Sequence, residues 1–311
     1  MVRSFRSGIE GIAFCRSRAR AVNHARSWRR THAGAIGPLR TGRTSPRPIC
    51  ASSVDSMEML SRILSSLAPV RATAAYATVL FVIASVLWAL GPQAESRVVD
   101  QLSTNLHNLR HGQFGTLLGS AFVTSEGQTY LLLPGLVCLL ALAELLWCSR
   151  GLIQVFAIGH VGATLVVAAG LVAAIKLGWV PVAIAGVRDV GLSYGAVAVL
   201  GALTAAIPPR WRLAWVVGWL TVAGVVVASG ADFTAAGHTV ALILGMLVST
   251  RLQLDTQWTI ARSALLGIAV LFGLLLLVGV SPSVAPIAIP AGLSVALTTA
   301  WATQWRRFAR T

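Results

Sequence analysis

The sequence predicts an all-α protein, a polytopic bundle of membrane-spanning helices. Three observations carry this. Hydrophobic residues fill 56% of the 311 positions, while charged residues fill only 11%. Mean hydropathy is +0.75. Several apolar runs of about 18 residues or more hold few or no charges, the length a helix needs to cross a hydrocarbon core about 30 Å thick.

Taken from the N-terminus, residues 1–50 stand apart. They carry 11 Arg and one acid, Glu10, so 10 of the net +15 charges lie there. With the excess confined to this stretch, a nucleic-acid-binding core is not indicated. Residues 1–60 read as a basic, disordered tail, an organellar targeting segment or an over-extended start, with Val54 or Met57 as the real beginning. Spans are then expected at 72–91, 129–148, 152–175, 191–207, 211–230, 232–250, 263–281 and 284–303. Pro282, Pro286 and Pro290 interrupt the boundary of the last two, so one or two spans follow the sixth. Segment 92–128 contains "NLRHGQFGTLLGSAF", too broken to span and suited to partial insertion. The four Cys show no paired spacing of the metal-site kind, and neither a disulfide framework nor a zinc site is expected. No cofactor is expected.

Basic residues at span ends set the orientation. With the N-terminus inside, inner segments hold ten Arg (62, 71, 150, 210, 212, 251, 262, 306, 307 and 310) against four basic residues outside, Arg97, Arg110, Lys176 and Arg188. Both termini are expected in the cytoplasm.

Ionisable residues within spans are costly and mark either structural pairs or functional sites. From the orientation and a rise of about 1.5 Å per residue, they sort by depth. Glu144 and His160 fall in the inner leaflet, where a structural pair is expected. Ser193 and His238 fall at a common depth in the outer half. A histidine within reach of a serine can act as its general base. Between 191 and 207, eight of 17 residues are Gly or Ala, so this helix is expected at the centre of the bundle. Gly191 and Gly195, four apart, suit close helix contact and leave room around Ser193. First-turn N–H groups beside Ser193 and Tyr194 suit an oxyanion. Asp189 is expected to cap that helix or orient the histidine, and Asp232 to cap the sixth span.

These residues carry a resemblance. "GLSYGA" (191–196) resembles the G-x-S-G-A motif that opens the fourth helix of rhomboid intramembrane serine proteases. "AGHTVALILG" (236–245) resembles their sixth-helix A-H-x-x-G-x-x-x-G pattern, with Gly237 in the small position before His238. "LLGSAF" (117–122) and Glu144 resemble features around the second helix. "DVGLSYG", "GHVGATL" and "AGHTVALILG" together are similar to rhomboid-like membrane proteins of actinobacteria. Tyr194 departs from the motif. The family's paired His and Asn are replaced near Tyr130 and Pro134, and its Trp-Arg near Phe114 and Gly115.

The resemblance implies a rhomboid-like six-helix core over 72–250, with extra C-terminal span or spans over 263–303. It implies a serine endopeptidase cleaving transmembrane proteins within the bilayer through a Ser193–His238 dyad, with Gly191, Tyr194 and Gly195 shaping the site. The alternative is an inactive rhomboid-like protein that binds transmembrane clients. Either would sit in a bacterial plasma membrane, in contact with lipid and not with nucleic acid.

Overall fold

The computed structural model describes residues 68–308, apart from 125–128, 231–232, 253, 255 and 280. The basic tail over 1–60 and Asp232 lie outside the described residues. Among the described residues the chain is helical and without strands. The helices are α1 (Arg71–Leu90), α2 (Pro92–Leu102), α3 (Leu106–Arg110), α4 (Thr116–Gly119), α5 (Thr129–Lys176), α6 (Ser193–Ala202), α7 (Pro209–Ala228), α8 (Phe233–Ser249), α9 (Ile260–Val278) and α10 (Ala285–Phe308).

Among the described residues five helices are long and apolar enough to cross a membrane, and α5, with 48 residues, has the length of two spans. Large apolar side chains such as Phe81, Leu131, Leu165, Leu247 and Leu293 are exposed on the bundle's surface. Such a surface suits lipid and not water. The expected second and third spans join within α5 through one residue, Cys148, whose φ of 60° and ψ of 166° break the helix. Cys138, within α5, is a free cysteine. Both expected C-terminal spans form helices. Pro282 lies in a 3-10 turn ahead of α10, and Pro290 lies inside that helix.

Glu144 explains how the first two spans are tied together. Its carboxylate accepts hydrogen bonds from the N–H of Ala72 (2.9 Å), the N–H of Thr73 (2.8 Å), the Thr73 hydroxyl (2.7 Å) and the Ser149 hydroxyl (2.6 Å). The first N–H groups of a helix lack partners inside it and favour negative charge. Glu144 therefore satisfies the start of α1 and, through Ser149, braces the break at Cys148.

The centre of the bundle is α6. Every residue from Tyr194 to Ala202 is buried, against α5 on one side and α8 on the other. Its smallness is what allows this. A Cβ added at Gly245 of α8 would collide with the Ala198 carbonyl, so the two backbones touch. A 3-10 turn at Leu203–Ala205 extends α6. At about 1.5 Å per residue these 13 residues reach about 20 Å, less than the hydrocarbon thickness. Helix α9 packs on α5, α6 and α7, and α10 packs on α7.

Candidate functional site

Ser193 is the first residue of α6, and the chain is bent sharply to put it there. Gly191 has φ +120°, a conformation that side chains rarely adopt, and a Cβ at Gly191 would meet open space. The requirement at 191 is thus conformational, and the expected helix contact is absent. Gly195 does make one: a Cβ there would lie 2.5 Å from the Phe156 ring of α5.

The bend is held by the segment that precedes α5. The Thr104 N–H donates to the Asp189 carbonyl (2.8 Å), and the Asp189 N–H donates to the Ser103 hydroxyl (2.8 Å). The Gly191 N–H donates to the Ser120 carbonyl (2.9 Å). Buried Ser120 bonds Thr104 Oγ1 (2.9 Å) and His160 Nε2 (3.1 Å). Ser103, Thr104, Ser120 and His160 thus fix the turn ahead of Ser193.

This corrects the expected pairing of His160 with Glu144, since neither bonds the other. The depth estimate started the third span at 152, whereas its helix resumes directly after Cys148. His160 is therefore deeper by about a turn, at the Ser193 end of the bundle, and packs with Ser120, Ser193 and Tyr194 around one spot that has no room for a water molecule. The expected Asp189 cap is corrected too. The N-cap position of α6 is Leu192, and no side chain caps the helix. Nor does Asp189 orient His238, because neither ring nitrogen of His238 has a hydrogen-bond partner among the described residues.

His238 reaches the same end of α6 from α8. It is buried, 3% exposed. The Tyr194 ring meets it edge to face, with centroids 5.5 Å apart. The Tyr194 ring lies over Gly237, where an added Cβ would collide with the phenol. The departure at Tyr194 and the glycine at 237 are one fitted contact. Ser193 and His238 both line a cavity of about 560 Å³, together with Asp189, Thr234, Leu131 and Leu276. The structure brings the two into one cavity without a hydrogen bond between them. In unliganded sites such bonds are often long and tighten only with substrate.

The positions near the family's missing donors point elsewhere. Tyr130 Oη lies 3.1 Å from the Ser85 hydroxyl and its ring meets Phe81. Phe114 is exposed and Gly115 faces open space.

A family model described as rhomboid-like protein matches residues 67–254, more than half of the chain. The chain belongs to that family, and it is an integral membrane protein. No curated protein and no solved structure matches it.

Proposed function

We propose that the protein is an intramembrane serine endopeptidase that cleaves transmembrane substrates through Ser193 and His238. The supporting observation is that one cavity is lined both by a serine at a helix start and by a buried histidine whose ring nitrogens have no hydrogen-bond partner among the described residues. Buried nitrogens left without partners are costly, and such exceptions concentrate where chemistry needs a group held ready. Ser193 Oγ attacks the substrate carbonyl and passes its proton to His238. His238 gives that proton to the leaving amine, and water then cleaves the acyl-enzyme with His238 again as base. First-turn N–H groups of α6 supply donors for the oxyanion. Absent side-chain donors of that kind lower rates by about 10²–10³ without ending catalysis.

The cellular setting that fits is a bacterial plasma membrane with both termini cytoplasmic, as the distribution of basic residues favours. The cavity then opens on the outer side. The core of this activity is the segment 72–250. The sequence of 1–60 fits a tail or an over-extended start, and 263–303 fits an addition to the core.

A second reading, a non-catalytic binder of transmembrane segments, is favoured by the orientation of Tyr130 away from the cavity and toward Ser85. Labelling by a serine-directed fluorophosphonate separates the two. The enzyme labels slowly and Ser193→Ala abolishes the signal. Folded wild-type protein that never labels leaves the binder as the account.

A further inference from the structure

We propose that helix α9, which lies beyond the matched segment 67–254, is a wall of the reactive cavity, and that Leu275 and Leu276 limit the size of the apolar side chain accepted beside Ser193. The proposal rests on the proteolytic reading of that cavity.

Helix α9 is clamped against the core at its middle. A Cβ added at Gly135 of α5 would lie 2.5 Å from the Phe272 ring, so that ring sits directly on the α5 backbone. The next residue, Gly273, faces Leu200 of α6 and Trp219 of α7 just as closely. Two successive residues thus lock α9 to three core helices. One turn further on, Leu275 and Leu276 line the cavity shared by Ser193 and His238. Leu276 is buried and Leu275 is 45% exposed. Leu131 and Leu132 of α5 supply further apolar lining.

The lining therefore divides by chemistry. Its polar members are Ser193, His238, Asp189, Arg188, Thr234 and Thr124, and four leucines from α5 and α9 form the main apolar part, beside Val190 and Leu192. A peptide carbonyl would be held at the polar members and a neighbouring side chain at the leucines. The volume is in the range of about 300–1,000 Å³ typical of specific ligand sites. Because two successive residues of α9 are in close contact with three core helices, its wall has little room to shift from its place.

The test uses the full chain with Ser193→Cys, so that alkylation does not depend on proteolysis. Reaction with N-ethylmaleimide and with the bulky N-(1-pyrenyl)maleimide is followed by mass spectrometry of the peptide carrying position 193. Leu276→Trp and Leu275→Trp are expected to slow the pyrenyl reagent about tenfold or more while leaving the ethyl reagent within about threefold. Leu276→Ala should speed the pyrenyl reagent. Leu271→Trp, on the exposed side of α9, should change neither. Leu275→Trp is the safer variant for folding, because Leu275 is the less buried of the pair. Pyrenyl rates that agree within about twofold across these variants would overturn the wall. If wild-type protein resists fluorophosphonate but the alkylation pattern holds, the proteolytic reading fails and the wall stands. Fluorophosphonate labelling with a flat alkylation pattern means the reverse.

Discussion

His160 and His238 are each 3% exposed, and both stand beside the start of α6. On the α5 side, His160 Nε2 bonds Ser120, and the surrounding contacts pin the turn at residues 189–191. On the α8 side, the His238 ring has no hydrogen-bond partner among the described residues and borders a cavity. Ser120–His160 is the better-formed Ser–His pair by distance, yet Ser120 is buried and its neighbours are backbone and Thr104. Equal burial thus goes with two environments: the His160 ring is hydrogen-bonded, and the His238 ring borders a cavity. The roles we propose divide accordingly, with His160 holding geometry and His238 moving protons.

The comparison depends on α6 and α8 staying in backbone contact, and breaking that contact should have the largest effect. Gly245→Ala places a methyl group against the Ala198 carbonyl. A loss of about 3 kcal/mol is expected in thermal unfolding in detergent, together with loss of any Ser193 labelling. A similar cost, about 3 kcal/mol, is expected for Glu144→Ala, which strands four donors at the start of α1 and at Ser149. That variant should leave labelling of the folded fraction intact, since Glu144 touches neither side of the comparison.

A double-mutant cycle sharpens the α8 side. Gly237→Ala alone should cost about 2 kcal/mol, because the methyl meets the Tyr194 ring. In a Tyr194→Ala background the same change should be nearly neutral. Additive costs would show that Tyr194 and Gly237 are not a fitted pair.

The smallest effect concerns the outer connection. Arg188, beside Asp189, donates to both oxygens of Asp100, at 2.5 and 2.9 Å. The hydrogen bond from Arg188 holds the Asp100 carboxyl below the usual carboxylate range. A depressed folded-state pKa stabilises above the unfolded value, and the contribution disappears as pH falls through the folded one. Amide exchange over 92–102 should therefore differ between wild type and Asp100→Asn at neutral pH and converge in acid. Both partners are well exposed, so the difference is expected to be slight.

Much of this arrangement was legible in the sequence, and the failures have identifiable causes. All eight expected spans are helices, because an apolar run of membrane length has few alternatives. That Ser193 and His238 line one cavity was legible from their motifs and matched depth. The partner of His160 was not, since a one-residue break at Cys148 lengthened the following helix and shifted every depth along it. Asp189 looked like a cap because it precedes an apolar run. The left-handed Gly191 delays the helix to Ser193 and takes Asp189 out of register. Ser103, Thr104 and Ser120 carry no local signal. Their role comes from contacts with residues 40 to 86 positions away.

The most direct test of the central claim sets the two histidines against each other. His160→Gln and His238→Gln are purified in detergent, and fluorophosphonate labelling at Ser193 is measured beside the thermal midpoint. His238→Gln is expected to lower the labelling rate at least about 10²-fold with little change in midpoint, because it removes the base and breaks no bond. His160→Gln is expected to lower the midpoint while the folded fraction labels within about tenfold of wild type. Labelling that survives His238→Gln but is lost in His160→Gln and in Ser120→Ala would contradict the account and move the reactive pair to Ser120 and His160.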